Sequence, residues 1–181
     1  MIKQVIKSVL FLVIVLLNFS CNNDDYTKQL EKWKTDNDSY FNNMKDSTNF
    51  QQYDLPVENG GGMYYYRIIK QGDITASSPA LQDVVKVNYK GMLINGTVFD
   101  GTYSGANPLT DSAAKPVEFT VNKLIPGWVE NLTQMKPGEI RTIVLPYYLG
   151  YGMYGAGSAI LPYTTLRFDM HLISISKTIV E

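Results

Sequence analysis

Cysteine is almost missing from this chain. Its 181 residues include one, Cys21, which excludes an internal disulfide framework and any zinc site built from cysteines. Histidine is as scarce. His171 stands alone, on the outward side of a strand-like alternation and without a metal-ligand neighbour. It reads as a surface residue, and neither a metal nor a cofactor is expected. An excess of one charge is missing too: 16 Lys and Arg against 17 Asp and Glu leave a formal charge of −1. With no basic run either, nothing points to nucleic acid. What remains is ordinary globular material, 45% hydrophobic and 18% charged, in a length that suggests one domain with a real core. Tyrosine is the exception, at 13 residues, a hint of an aromatic-rich sheet or pocket.

Long apolar runs are confined to the first residues. Lys3 and Lys7 precede VLFLVIVLLNF (Val9–Phe19), a stretch too short to span a bilayer comfortably and built like the apolar region of an export signal. Ser20 and Cys21 follow. The arrangement resembles a bacterial lipoprotein signal, with residues 1–20 removed and Cys21 lipidated. Asn18 stands where the usual pattern wants a leucine-like residue, with Leu17 one earlier. An ordinary signal peptide, or a short anchor that happens to carry a cysteine, is the alternative. Removing residues 1–20 takes two lysines away, so the charge becomes 14 − 17 = −3. The expected location is the bacterial cell envelope, membrane-anchored and facing the periplasm or the cell surface.

Residues 21–62 read as a tether. Tyr26, Leu30, Trp33, Tyr40 and Met44 recur at helical steps, with Asn37 on the same face; this predicts an amphipathic helix over about 24–45. Asp24 and Asp25 sit where they favour its dipole. The stripe must bury against the chain's own domain, a second copy or a partner. Pro56 and Gly60–Gly62 then predict a linker, with the folded domain at 63–181.

From Met63 the pattern is β. MYYYRIIK (63–70) is aromatic and β-branched. In 83–94, Val85, Val87, Tyr89 and Leu93 alternate with Lys86, Asn88 and Lys90. Asn95-Gly96 signals a hairpin into TVFD (97–100). VEFTV (117–121), RTIVL (141–145) and LRFDMHLISIS (166–176) follow, the last with Leu166, Phe168, Met170 and Leu172 on one face and Arg167, Asp169 and His171 on the other. Within the domain only WVENLTQM wants to be helical, with Trp128, Leu132 and Met135 on one stripe after Pro126-Gly127 and a stop at Lys136-Pro137-Gly138. The fold class is therefore α+β: an antiparallel curved sheet of five to six strands around one short helix. The run Gly150-Tyr-Gly-Met-Tyr-Gly155 spells a dinucleotide fingerprint but opens no helix. The next acidic residue, Asp169, lies inside a strand, so the nucleotide reading is rejected.

YKGMLINGTVFDG (89–101), VEFTV (117–121), LIPGW (124–128), MKPGEIRTIVLP (135–146), YG (151–152) and LPYTTLRFDMHLI (161–173) occur in this order. Together they resemble the FK506-binding-protein type of peptidyl-prolyl cis–trans isomerase, over about residues 63–177. The resemblance implies a pocket with Trp128 as floor, Tyr89, Phe99, Phe119, Leu124, Ile125 and Phe168 as walls, and Ile160 on a flap. It implies that the Ile125 N–H and the Tyr151 hydroxyl donate to substrate carbonyls. Asp100 is the pocket carboxylate, orienting Tyr89 or facing the substrate amide. Such chemistry breaks no bond, so it needs no nucleophile, metal or proton shuttle, only a site that binds the twisted amide best.

The chain also departs from the family pattern. Val117 stands where many relatives place phenylalanine, GTYSGANPLTDSAAKP (101–116) is longer than the usual loop, and Asp100 has no evident arginine partner in it. Leu161-Pro162-Tyr163 replaces the commoner Ile-Pro-Pro. The expected partners are proline-containing unfolded or exported polypeptides and a membrane through Cys21; the pocket also admits a macrolide, and oligomeric state stays open. Two non-catalytic alternatives remain. One is a chaperone or peptide-binding module, and the other a subunit of an envelope secretion or motility assembly.

Overall fold

The computed structural model describes residues 24–177. The leader-like segment and the expected lipidation site at Cys21 lie outside the described residues, as do residues 178–181. The chain divides after Asp36 into two compact units. Helix α1 (24–42) runs through that boundary. Its first part is stitched along one side by Gln29 to Asp25 at 2.8 Å and Lys32 to Asp36 at 2.6 Å, pairs four residues apart. No helix among the described residues is long and apolar enough to cross a membrane.

The second unit begins with the end of α1 and a single 3-10 turn, Asn43–Asp46. Seven strands follow, all in one sheet: β1 (Gln51–Asp54), β2 (Met63–Lys70), β3 (Val84–Met92), β4 (Val98–Gly101), β5 (Val117–Thr120), β6 (Ile140–Leu145) and β7 (Leu166–Ser176). Their spatial order is β1-β2-β6-β7-β3-β4, with β5 sharing the outer edge of β3 with β4. Every pairing is antiparallel. Helix α2 (Pro126–Leu132) enters after β5. Pro126 at its first position forfeits no hydrogen bond, since that N–H would be unpaired in any helix.

The expected α+β sheet with one short helix is what forms, with one strand more than the pattern indicated. QQYD, inside the segment read as a tether, is β1 and pairs with Met63–Tyr66. The inner face of the sheet holds Val85, Val87, Ile143, Leu145, Leu166, Phe168, Met170 and Leu172 against Trp128, Leu132 and Met135 from the helical segment. A buried polar cluster ties α2 to this face. Arg141 bonds Glu139 at 2.6 Å and Asn131 of α2 at 3.0 Å, while its guanidinium lies 4.7 Å over the Tyr66 ring. A buried ion pair is stable only when its remaining donors and acceptors are satisfied. Here Glu139 accepts a further bond from the Lys136 N–H at 3.1 Å.

The outer face is covered in part, which corrects one expectation. His171, read as a surface residue, is buried and stands between Asn88 of β3 and Ile140 of β6. Burial, helped by the charge of Lys70, pushes its pKa down. Outward alternation implies exposure only if nothing packs on that face, and here two segments do. At one end Phe41 packs on Tyr65 and Val144, joined by Tyr40, Met44 and Phe50. Asn37, fully buried, accepts a bond from the Thr165 N–H at 2.8 Å. At the other end residues 101–116 fold back from the β3 edge.

Candidate functional site

The site grows from the helix start. Ile125 is extended (φ −61°, ψ 149°) and caps α2, its carbonyl accepting the Trp128 N–H at 2.9 Å. The first turn therefore throws Trp128 inward, where it is buried. Three rings meet it edge-on: Tyr89 at 5.0 Å, Phe168 at 5.2 Å and Phe119 at 6.0 Å, with interplanar angles of 83–89°. Phe99 meets Phe168 the same way at 5.7 Å. Edge-to-face contacts put the positive ring edge on the negative ring face, and each contributes about 0.5–1.5 kcal/mol beyond burial. Gly91 makes the Phe99–Phe168 contact possible. A Cβ there would lie 2.5 Å from the Phe99 ring and 2.9 Å from Phe168.

These rings wall an open cleft of about 330 Å³, completed by Leu124, Ile125, Asp100 and Tyr151. The Tyr89 hydroxyl donates to Asp100 at 2.6 Å, and the other carboxylate oxygen accepts the Gly101 N–H at 2.8 Å. Asp100 is thus held at the rim by two donors; it forms no ion pair among the described residues. Burial raises the Tyr89 pKa, and the Asp100 hydrogen bond and charge add to the shift. Burial and the Asp100 charge raise Tyr151 as well. Both hydroxyls therefore stay protonated as donors across the physiological range. The Ile125 N–H has no partner among the described residues, and the buried Trp128 indole N–H has none either.

Nine of the ten residues expected at the site come together in this cleft. Ile160 is the exception: it is buried in the main core cluster and does not line the cleft. It does sit at the base of the flap, where Ala156 and Ile160 exchange backbone bonds of 2.8 and 3.2 Å. Gly155 closes that turn at φ +69°, where a Cβ would fall 2.1 Å from the Ile160 carbonyl oxygen. Val117 packs against the core beside the cleft rather than in it. Tyr163 occupies the left-handed region at φ +61°, which a proline ring forbids; the departure at Leu161-Pro162-Tyr163 is built into this backbone. Lys123 lines the cleft and was not singled out from the sequence. Its one mark in the sequence is its place immediately before the Leu124-Ile125 pair.

Comparison with known proteins agrees with this geometry. The family model described as FKBP-type peptidyl-prolyl cis-trans isomerase matches residues 75–173, 99 of the 181 residues. The peptidyl-prolyl cis-trans isomerase Mip of Coxiella burnetii is 44% identical over 112 residues, 62% of this chain and 44% of the relative. The outer membrane protein MIP of Legionella longbeachae is 42% identical over 112 residues, again 62% and 44% of the two chains. The chain therefore spans less than half the length of these two relatives. The crystal structure of FkpA from Escherichia coli superposes with a TM-score of 0.68 at 28% identity, covering 89% of this chain and 70% of that one. Sheet topology, aromatic cleft and sequence match converge: the chain belongs to the FKBP-type peptidyl-prolyl cis-trans isomerase family.

Proposed function

We propose that this chain accelerates rotation about Xaa-Pro bonds in exported polypeptides at the cell envelope, tethered by a lipid on Cys21. The observation that carries the reading is the cleft of edge-on aromatic rings with a fixed carboxylate at its rim. An Xaa-Pro bond resists rotation by a barrier of roughly 18–20 kcal/mol, because the nitrogen lone pair is shared with the carbonyl. Twisting withdraws that sharing and leaves the oxygen less negative. Water, by hydrogen-bonding the oxygen, favours the planar form, so a dry aromatic wall favours the twisted one. Every 1.4 kcal/mol of such preference is about a tenfold rate gain.

In this reading the prolyl ring lies on Trp128 between Tyr89, Phe99 and Phe168. The Ile125 N–H and the Tyr151 hydroxyl hold the flanking backbone carbonyls, which orients the peptide without anchoring the reacting one. Asp100, fixed by Tyr89 and Gly101, is a positioning group at the rim. A macrolide with a ring of prolyl size is the small-molecule class expected to compete. The envelope location is supported by the leader-like residues 1–20, by Cys21 and by the similarity to an outer membrane protein of Legionella longbeachae.

The test is a proline-isomerisation assay on the full chain beside Trp128→Leu, which keeps apolar bulk but removes the flat floor. Acceleration by the parent and its loss in the variant are expected; equal rates, or none, reject the reading. Mass spectrometry of the N-terminus from cells checks the tether, with an acylated Cys21 as the expected species.

A further inference from the structure

The long segment between β4 and β5 has a consequence on the side of the sheet away from the isomerase cleft. Both strands pair with one edge of β3, so the intervening residues leave that edge and turn back over the outer face. There they are held firmly. Lys90 lies 4.5 Å over the Tyr103 ring and donates to the Ser104 carbonyl at 3.0 Å. Asp111 accepts the N–H groups of Ser104 and Gly105 at 2.9 and 2.8 Å and that of Ala113 at 2.9 Å. The loop is a preformed wall, and between it and the sheet lies a second cleft, of about 450 Å³.

Its lining is unbalanced in charge. Arg67, Lys70 and Arg167 face it together with one carboxylate, Asp169. That carboxylate is already engaged, by the Thr142 hydroxyl at 2.7 Å and by Arg167 at 3.4 Å. The Arg67 guanidinium carbon lies 5.3 Å from the centre of the Phe50 ring, and Arg67 forms no ion pair among the described residues. The Nε of Arg67 and of Arg167 are both buried without a hydrogen-bond partner among the described residues. Each guanidinium carries further N–H donors that a carboxylate entering the cleft can engage. Ile69, Ile140, Pro108 and Leu109 give the lining an apolar side, next to the polar Asn107 and Thr142. A bare inorganic anion would leave that wall wet. Finally, β1 covers the edge of β2 only as far as Tyr66, so Arg67–Lys70 form an open sheet edge beside the cleft, with Ile69 half exposed. Open edges accept extended chain.

We propose that this outer-face cleft binds an acidic segment of polypeptide, a Glu or Asp carboxylate against Arg67 and Arg167 with apolar neighbours on Ile69, Ile140 and Leu109. It is separate from the isomerase cleft and needs no proline. The chain then holds a client at two places, at the bond being turned and at an acidic stretch elsewhere.

The test uses the full chain and a fluorescein-labelled, proline-free peptide with glutamates between leucines, read by anisotropy. Its glutamine twin and free octanoate serve as competitors, and isomerase rates are measured in parallel. The glutamate peptide is expected to bind, with the twin and octanoate at least about tenfold weaker. Arg67→Gln should weaken it by a similar factor without changing the isomerase rate. Because Arg67 packs on Phe50, Leu109→Asp provides a second variant: it sets a repelling charge on the exposed loop wall, leaves the sheet alone, and should have the same effect. No binding of the glutamate peptide, equal binding of its glutamine twin, equal competition by octanoate, or full affinity in both variants would each overturn the proposal. A proline peptide that saturates the isomerase cleft should leave binding intact; displacement by it would place the acidic peptide in the wrong cleft.

Discussion

The hydrogen bond from Tyr89 to Asp100 can be isolated by experiment, because phenylalanine at position 89 keeps the ring. The contacts of that ring with Trp128 at 5.0 Å and Phe119 at 6.2 Å would survive, and only the 2.6 Å bond to the carboxylate would go. Bonds to charged acceptors contribute roughly 1.5–3 kcal/mol net. Asp100 is exposed and keeps its Gly101 donor, so the low end applies. If Asp100 acts only from the position Tyr89 gives it, Tyr89→Phe should lower kcat/KM by about tenfold, the rate equivalent of 1.4 kcal/mol. Asp100→Asn should do much the same. The decisive measurement is the double variant, assayed by NMR exchange on a proline peptide so that no coupling protease intervenes. One linked unit gives a combined loss close to either single loss. A combined loss near a hundredfold would show two independent contributions and refute the positioning role, and an unchanged rate in Tyr89→Phe would remove the bond from the mechanism.

Arg141→Met should cost about 3–5 kcal/mol in denaturant unfolding, since it strands Glu139 in the core without its partner; a loss under 1 kcal/mol would mean that the carboxyl finds water or a proton cheaply. Stability should also fall in alkali. Burial raises the pKa of Tyr64 and Tyr89 and pushes Tyr103 up to about 12, against roughly 10 in the unfolded chain. The contribution of the neutral phenols is full below pH ~10 and lost as pH rises through the folded values, at up to about 1.4 kcal/mol per pH unit for each tyrosine. Unfolding midpoints between pH 8 and pH 11 should be flat and then drop, and a flat profile throughout would contradict the burial of these hydroxyls.

The inner half of this fold was legible because both signals agreed there. In β3 and β7 the apolar residues alternate strictly, and the rings of the cleft fall on the same faces as the core. The outer half was not legible. Strand β1 is largely exposed and puts only Tyr53 on the core, so one aromatic among polar residues is too little in QQYD to announce pairing; the pairing comes from its neighbour β2. His171 misled because alternation reports which face a residue is on and says nothing of what lies over that face. Ile160 was expected on the flap and sits at its base, where the bridge to Ala156 packs its side chain into the core. Lys123 escaped notice because a lone cation before an apolar pair has no periodicity to mark it.

Asn37 has a bearing on how the end of α1 is seated. Phe41 and its neighbours would hold residues 37–42 to the sheet equally well through a range of rotations about the helix axis, since apolar contact is forgiving of angle. An amide that accepts the Thr165 N–H at 2.8 Å while its own backbone carbonyl takes the Thr165 hydroxyl at 3.1 Å permits a single setting. The pair works as a key in a shaft. It adds little grip, but it stops the helix end from turning, and it does so at the residue where the chain enters β7, the strand that carries Phe168 into the isomerase cleft.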